Sequence, residues 1–182
     1  MKEEKILVII DMQNDFTTGV LGNTECTKAI DEVIDVVNKG EYDQIIFTRD
    51  THTEDYMNTR EGKYLPVPHC IKDSEGWNIV PSIMEAAEKK VTAARIKIFD
   101  KPTFGSVELG AYIKETEAQG AKLTIDFTGV CTGICVINNV AIVKANCPEV
   151  DVRVIEKACA CVTPDSHNTA IAAMKTFQVD VI

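Results

Sequence analysis

The chain has 182 residues, of which 45% are apolar, and it carries a formal net charge of −9 at pH 7. This length favours one domain with a sizeable core, covering residues 1–182. The acidic charge argues against nucleic acid or an anionic membrane as a partner, and no apolar run approaches the length of a membrane span. Seven scattered cysteines and an N-terminus without a signal-peptide pattern predict reduced thiols in a cytoplasmic protein.

The pattern of apolar residues predicts strands that alternate with helices along the chain. The predicted strands cover residues 6–10, 44–48, 96–99, 123–127, 150–155 and 179–182. Helices are predicted from an N-cap at Thr24 to Gly40, over 81–90, over about 107–117 after an N-cap at Ser106, over 134–145 and from Pro164 onward. Six such alternations predict an α/β fold, a three-layer α/β/α doubly wound sandwich with a mostly parallel six-stranded sheet.

Three reactive residues stand where predicted strands end. Asp11 follows the first strand, and Lys101 comes shortly after the third. After the fourth strand, Gly129 and Gly133 break the chain and a helix begins, which places Cys135 in the first turn of that helix. In open parallel sheets, ligands bind beyond the carboxyl ends of the strands, so these three side chains are candidates for one site.

The predicted position of Cys135 indicates a reactive thiol. A helix N-terminus presents free backbone N–H groups and the positive end of the helix dipole, and both favour the thiolate. The same N–H groups could hold an oxyanion. Asp11 could accept the thiol proton, and Lys101 could orient Asp11 and favour the anions. The three residues together therefore predict covalent catalysis.

A possible metal site follows the second strand. Asp50 and His52 are two residues apart, so in extended backbone they point to the same side. A carboxylate and an imidazole so placed are typical of zinc, iron or manganese sites. His69 follows in the segment 51–77, which is long and polar, and loops of that length are usually functional. The alternative is that these are ordinary polar residues of a surface loop.

The segments ILVIIDMQNDF, FDKPTFGS and TGVCTGICV resemble, in that order, the motifs of the isochorismatase-like cysteine hydrolases, the superfamily that contains nicotinamidases. The resemblance implies a catalytic triad of Asp11, Lys101 and Cys135. It also implies a cis peptide at Val130–Cys131 and an oxyanion hole formed by the backbone amides of Cys131 and Cys135. Together with the topology rules of doubly wound folds, it implies the strand order 3-2-1-4-5-6, in which strands one and four are neighbours.

The resemblance also implies a metal. Nicotinamidases have an Asp-x-His pair and a second histidine just before a Cys or similar residue, and these features map onto Asp50, His52 and His69. Some members add an acidic ligand, for which Glu61 and Glu54 are the candidates, with Glu61 closer in spacing. The implied cofactor is a divalent metal ion, with zinc as the first expectation and iron or manganese as alternatives.

The expected substrate pocket departs from the family pattern. The resemblance implies that Phe16 helps to wall the pocket; the alternative is a loop residue packed on the core. Nicotinamidases often have an aromatic residue where this chain has Pro66, so Tyr64, Leu65 or Phe16 is expected to cover the substrate ring instead. Many members also have an acidic residue at the position of Gly133, where its absence should leave the chemistry intact.

These features predict a cysteine hydrolase that cleaves a small amide through a Cys135 thioester, with nicotinamide converted to nicotinate and ammonia as the leading reaction. The alternatives are a metal-independent amidase or a carbamoyl or ureido hydrolase of the same superfamily and, more remotely, a redox-sensing protein with a Cys131–Cys135 disulfide. A dinucleotide-binding domain is disfavoured, because the first strand is followed by Asp-Met-Gln-Asn-Asp instead of a glycine-rich turn. We expect a small-molecule amide as the substrate and a homo-oligomer.

Further residues have weaker signals. Phe104 is expected to line either the pocket or a subunit interface. Trp77 is expected to anchor packing, and His167, in the first turn of the last helix, is expected to be exposed. Cys159 and Cys161 are interpreted as small buried residues rather than as a redox or metal pair.

Overall fold

The computed structural model describes residues 3–182. The strands in this range are β1 (Glu3–Ile10), β2 (Gln44–Asp50), β3 (Ile96–Lys101), β4 (Lys122–Val130), β5 (Asp151–Ala160) and β6 (Asp180–Val181). They form one sheet in the order β3-β2-β1-β4-β5-β6, with parallel pairing throughout. The predicted strand order is confirmed.

Helices cover both faces of this sheet. The α-helices of the described residues are α1 (Asn14–Thr17), α2 (Thr24–Lys39), α3 (Arg60–Tyr64), α4 (Pro81–Lys90), α5 (Val107–Ala118), α6 (Ile137–Asn146) and α7 (Pro164–Thr176). Helices α2 and α4 pack on one face, and α5, α6 and α7 pack on the other, which confirms the three-layer sandwich. None of the helices described is long and apolar enough to cross a membrane.

Strand β1 lies in the middle of the sheet and is buried on both faces. Ile6, Val8 and Ile10 pack against α5, α6 and α7, whereas Leu7 and Ile9 pack against α2 and α4. A strand covered on both faces needs apolar residues at consecutive positions, which explains the continuous run. Burial of each such side chain contributes about 1.5–3 kcal/mol to stability. Strand β1 therefore holds the position of Asp11, the residue that follows it.

The start of α2 differs from the prediction. The N-cap is Asn23 instead of Thr24, and its side chain accepts a hydrogen bond from the backbone N–H of Cys26 at 2.9 Å. Asparagine and threonine both cap helices, so the residue types alone could not separate the two positions. The predicted N-cap of α5 is confirmed, because Ser106 accepts a hydrogen bond from the backbone N–H of Leu109 at 3.1 Å.

Strands β2 and β3 extend further than predicted, to Asp50 and Lys101. These two residues lie opposite each other in the parallel ladder. The apolar pattern ends earlier than the hydrogen-bonded strands, because side chains at the last positions face the site instead of the core. Both residues are therefore held by regular backbone pairing rather than by a loop.

The connection between β4 and α6 also differs from the predicted helix over 134–145. A π-helical turn, Thr132–Val136, precedes α6, so Cys135 lies in this turn rather than in the first turn of an α-helix. We call Thr132–Val136 the nucleophile turn. Turns of this kind are frequent at functional sites. The peptide bond between Val130 and Cys131 is cis, as the family resemblance implied.

Gly129 lets β1 and β4 approach closely beside the nucleophile turn. Its φ is +116°, and a Cβ atom at this position would collide with the backbone of Ile10. Glycine alone tolerates both conditions. Gly129 therefore keeps the end of β1, and with it Asp11, close to the segment that carries Cys135.

Candidate active site

Asp11, Lys101 and Cys135 meet in one buried cluster, the triad, at the carboxyl ends of β1, β3 and β4. The Lys101 ammonium lies 2.6 Å from Asp11 Oδ2 and 3.6 Å from Cys135 Sγ. The Cys135 thiol also interacts with the Asp11 carboxylate. A thiol, a carboxylate that can accept its proton and a fixed cation in mutual contact are the groups that nucleophilic catalysis requires.

The surroundings of Cys135 oppose the thiolate that a helix N-terminus would favour. Burial raises the pKa of Cys135 well above its ordinary value, and the charge of Asp11 raises it further, while Lys101 offsets only part of the effect. Burial opposes the charge on Lys101, but the negative charges of Asp11 and Asp50 outweigh it and raise the pKa of Lys101. Burial also raises the pKa of Asp11, although Lys101 works to lower it. A higher pKa makes the Asp11 carboxylate a stronger base for the thiol proton.

Thr48 holds Asp11 in place, and nothing in the sequence predicted this role. Its hydroxyl donates to Asp11 Oδ1 at 2.6 Å and accepts from the backbone N–H of Asp11 at 3.2 Å. Asp11 has a φ of 48°, in the left-handed region that residues other than glycine seldom adopt. The hydrogen bonds from Thr48 therefore stabilise a strained backbone conformation and aim the carboxylate.

Asp50, His52, Glu61 and His69 form a second cluster, the metal cluster, in which one ligand atom of each lies within 4.8 Å of all the others. His52 Nε2 lies 2.9 Å and His69 Nε2 lies 3.5 Å from the same oxygen of Asp50. Both Nε2 atoms are 3.8 Å from Glu61 Oε1. Lys101 joins the two clusters, because its ammonium is 3.4 Å from the other oxygen of Asp50.

The metal cluster fits a divalent metal ion. Two imidazole nitrogens and two carboxylate oxygens are typical ligands of zinc, iron and manganese. Donor atoms about 2.1 Å from one ion lie at most about 4.2 Å apart, and the four separations between a histidine nitrogen and a carboxylate oxygen, 2.9–3.8 Å, meet this condition. His69 Nδ1 donates to the carbonyl of Val67 at 2.8 Å, which leaves Nε2 free to bind a metal. The exposed Glu54 lies outside the cluster.

A cavity of about 410 Å³ opens onto both clusters. Its lining includes Cys131 and Cys135 together with Asp50, Glu61 and His69. Its volume lies in the range of cavities that bind small molecules. We call it the substrate cavity.

Two of the three residues expected around the substrate line this cavity. They are Phe16, whose ring centroid lies 5.4 Å from that of His69, and Leu65. Tyr64 does not line it: the residue is 76% exposed, because it ends the short helix α3 on the solvent side. Phe104, for which the sequence left two possibilities, lines the cavity.

The mouth of the substrate cavity is apolar. Five of its lining residues are large apolar side chains with at least 37% exposure, namely Val20, Leu65, Phe104, Ile134 and Val162. Apolar surface that is both exposed and contiguous marks a binding site more often than it marks ordinary surface. The mouth therefore favours a ligand with apolar surface of its own.

Comparison with known proteins agrees with this geometry. The family model of the isochorismatase domain matches residues 5–182. The chain belongs to the isochorismatase family. The nicotinamidase/pyrazinamidase of Mycobacterium tuberculosis is 24% identical over 186 residues, covering 98% of this chain and 98% of that protein.

Solved structures share the isochorismatase-family fold. The pyrazinamidase/nicotinamidase of Streptococcus mutans has a TM-score of 0.82 at 23% identity, covering 98% of this chain and 99% of that one. The pyrazinamidase of Pyrococcus horikoshii, solved in complex with zinc, has a TM-score of 0.75 at 23% identity, covering 98% of both chains. At this level of identity the likeness shows the fold.

Two buried amides brace the site of this isochorismatase-family protein, and neither was predicted. Gln13 donates to the carbonyls of Asp50 at 2.9 Å and Trp77 at 2.8 Å, and accepts from the backbone N–H of Asp50 at 2.7 Å. Asn139 donates to the carbonyl of Cys135 at 2.8 Å and to a carbonyl in the loop after β3 at 3.1 Å. A polar amide inside the apolar run of α6 was the one signal available for Asn139.

His167 lies elsewhere than predicted for this family member, whereas Trp77 lies as predicted. His167 is not exposed: its side chain is 15% accessible, and Nδ1 lies 2.8 Å from the hydroxyl of Thr132 in the nucleophile turn. Trp77 is confirmed as a packing anchor, because it is 8% exposed and the guanidinium of Arg49 lies 3.7 Å from its ring centre.

Proposed function

We propose that the protein is a cysteine amidohydrolase that converts nicotinamide to nicotinate and ammonia. It is a hydrolase that acts on a C–N amide bond, as its family and its nicotinamidase relative support. One observation carries the finer proposal. The Lys101 ammonium lies 2.6 Å from Asp11 and 3.6 Å from Cys135, and Cys135 lines a cavity that the metal cluster also lines.

In the proposed reaction, Cys135 is the nucleophile and Asp11 is the general base. Asp11 takes the thiol proton as the sulfur attacks the amide carbonyl, while Lys101 stays protonated and stabilises the anions beside it. The backbone amides of Cys131 and Cys135 donate to the oxyanion of the tetrahedral intermediate. Asp11 then gives the proton to the leaving ammonia, which leaves a thioester on Cys135. Water hydrolyses the thioester and restores the free thiol.

The metal cluster would hold a divalent ion, for which zinc is our proposal. When bound, such an ion supplies a Lewis acid that can accept the lone pair of a pyridine nitrogen. The chain supplies the rigid donors. The carbonyl of Val67 orients His69, and the side chain of Gln13 hydrogen-bonds to both the carbonyl and the backbone N–H of Asp50. A ring nitrogen held at this cluster would direct the carboxamide toward the triad.

The walls of the substrate cavity favour an uncharged ring amide over a carbamoyl or ureido compound. Phe16 and Phe104 offer aromatic surface, and Leu65, Ile134 and Val162 offer aliphatic surface. A carbamoyl amino acid carries a carboxylate that needs a cationic partner, and the cavity lining within residues 3–182 includes no lysine or arginine. These walls support nicotinamide rather than the ureido alternative.

Ammonia release from a small panel of amides tests the proposal. We expect turnover of nicotinamide and pyrazinamide by the wild-type protein, with none by Cys135→Ala. Benzamide, which lacks the ring nitrogen, should be a much poorer substrate if the metal cluster orients the ring. Preferential turnover of N-carbamoylglycine would replace the proposal with the carbamoyl hydrolase alternative, and no ammonia from any compound would reject it.

A further inference from the structure

Three thiols lie together behind the wall of the substrate cavity, and the proposed reaction uses none of them. They belong to Cys26, Cys131 and Cys161. The Cys131 side chain lies within hydrogen-bonding reach of both other sulfurs, and Cys26 Sγ donates to the carbonyl oxygen of Cys161 at 3.9 Å. All three are free thiols. A group of neighbouring thiols can form a disulfide where one of them reacts readily as a thiolate.

The sulfur of Cys161 is surrounded by hydrogen-bond donors. The thiol of Cys131 and the backbone N–H groups of Gly133 and Val162 lie beside it, whereas the hydroxyl of Ser166 donates its proton to the carbonyl of Thr163. The bond from Cys131 has the largest effect, and together these donors lower the pKa of Cys161 to about 5, although burial opposes them. These surroundings favour the thiolate form of Cys161.

Cys161 and Cys131 stand in one wall between two cavities. Cys161 lines a groove of about 630 Å³ bordered by α2, β5 and the start of α7, whereas Cys131 lines the substrate cavity. A methyl group placed on Gly133 would lie 3.7 Å from Cys161 Sγ, so the sulfur reaches the nucleophile turn from behind. A small oxidant in the groove meets Cys161 without passing Cys135.

We propose that Cys161 and Cys131 form a peroxide-reactive thiol pair that closes into a disulfide across this wall. The Cys161 thiolate attacks one oxygen of hydrogen peroxide, the O–O bond breaks, and a sulfenic acid and a hydroxide ion result. The Cys131 sulfur then attacks the sulfenic sulfur. The S–S bond forms, the S–O bond breaks, and the oxygen leaves as water with the Cys131 proton. The two sulfurs lose two electrons, which reduce the peroxide.

Cys26 is the other possible partner of Cys131, and its position makes it the less reactive thiol. Cys26 is fully buried and lines neither the groove nor the substrate cavity. Peroxide therefore reaches Cys161 first, and Cys131 resolves the sulfenic acid because it is hydrogen-bonded to that sulfur.

The disulfide should change catalysis. An S–S bond is about 2.05 Å long, much shorter than the contact distance between two thiols, so its formation pulls Cys131 toward Cys161. Cys131 carries one of the two proposed oxyanion donors, and loss of one such donor lowers kcat by about 10²–10³-fold. This effect on turnover rests on the proposed function, whereas formation of the disulfide does not.

Peptide mapping of the full chain tests the proposal without an activity readout. In Cys135→Ala, Cys131 is the only cysteine of the tryptic peptide 123–144. After brief exposure to hydrogen peroxide and alkylation, we expect this peptide linked to the peptide 158–175. The link should vanish when Cys161→Ser is added and should persist when Cys159→Ser is added, which replaces a buried neighbour in the same peptide.

The wild-type protein provides a second readout. Peroxide should lower kcat for the amide substrate by about 10²-fold or more, a reducing dithiol should restore it, and Cys161→Ser should resist the loss. If Cys161→Ser does not fold, as judged by circular dichroism, Cys161→Ala must abolish the link in its place. A link from Cys131 to Cys26, a sulfinic acid at Cys161 without a link, or no oxidation of either thiol would overturn the proposal.

Discussion

The Lys101 ammonium lies 2.6 Å from the Asp11 carboxylate, and both side chains are inaccessible to solvent. Charges buried this close together depend on each other, because removing one leaves the other unpaired in a site of low polarity. The pair therefore contributes to stability as well as to the proposed chemistry. Variants of the triad have to be measured for folding and for turnover separately.

Cys135→Ala should abolish amide turnover and leave the fold intact, because only the nucleophilic sulfur is removed. The measurement is ammonia release together with thermal unfolding. Cys159→Ala is the matched control: it also removes a buried sulfur, but one next to the Phe127 carbonyl, away from the triad, and it should retain turnover. Residual activity above about a tenth of the wild-type rate in Cys135→Ala would contradict the assignment of the nucleophile.

Asp11→Asn and Lys101→Met should each lower kcat by orders of magnitude, because members of a catalytic unit act together. Their effects on stability should differ. Lys101→Met leaves the buried Asp11 carboxylate unpaired, at a cost of about 3–5 kcal/mol in the free energy of unfolding. Asp11→Asn should cost less, since Lys101 still has Asp50 at 3.4 Å. Denaturant titration measures the difference, and losses of turnover below about tenfold in both variants would reject the triad.

The same two variants should move the pKa of Cys135 in opposite directions. The negative charge of Asp11 raises that pKa and the positive charge of Lys101 lowers it. Asp11→Asn should therefore shift the pH profile of Cys135 alkylation to lower pH, even as turnover is lost, and Lys101→Met should shift it to higher pH. Iodoacetamide labelling of Cys135, followed by mass spectrometry, measures the profile. No shift in either variant would show that burial alone sets the pKa, and shifts in the same direction would contradict the opposite effects of the two charges.

Thr48→Val should lower kcat/KM because it removes the hydroxyl that donates to Asp11 Oδ1 at 2.6 Å. A hydrogen bond to a charged group contributes about 1.5–3 kcal/mol, which corresponds to a loss of about 10- to 100-fold. Thr48→Ser keeps the hydroxyl and should retain most of the activity. Equal losses in the two variants would indicate that packing of the threonine methyl group, and not the hydrogen bond, is what matters.

Metal analysis should find about one divalent ion per chain. His52→Ala should lose the ion, because it removes one of two imidazole donors, whereas Glu54→Gln changes an exposed residue outside the metal cluster and should keep it. Chelation should suppress turnover, and adding back zinc, manganese or ferrous iron in turn identifies the metal that restores it. Full activity with no bound metal would favour the metal-independent amidase.

The triad candidates could be predicted because a change in side-chain chemistry at a strand end is visible in a sequence. Asp11, for example, ends an uninterrupted run of five apolar residues. The residues that hold the triad gave no such signal. Thr48 and Gln13 matter because the fold places particular backbone groups within their reach, and that placement depends on pairing between β1 and β2.

The surroundings of Cys135 oppose the expected thiolate for a related reason. A thiol pKa depends on burial and on charges brought from distant segments, and here those effects outweigh the local turn. Orientation was equally hidden from the sequence: Phe16 and Tyr64 are both aromatic residues near the site, but only Phe16 turns inward.

The floor of the site draws on four adjacent strands, with Asp11, Asp50, Lys101 and Cys135 at or just beyond their carboxyl ends. Parallel strands are joined by long crossovers, and contacts between segments so distant in the chain form slowly during folding. No subset of the strands can assemble the site, so a collapsed intermediate with most of its helices formed remains inactive. The rate at which ammonia release returns after dilution from denaturant therefore measures how fast the central sheet is completed.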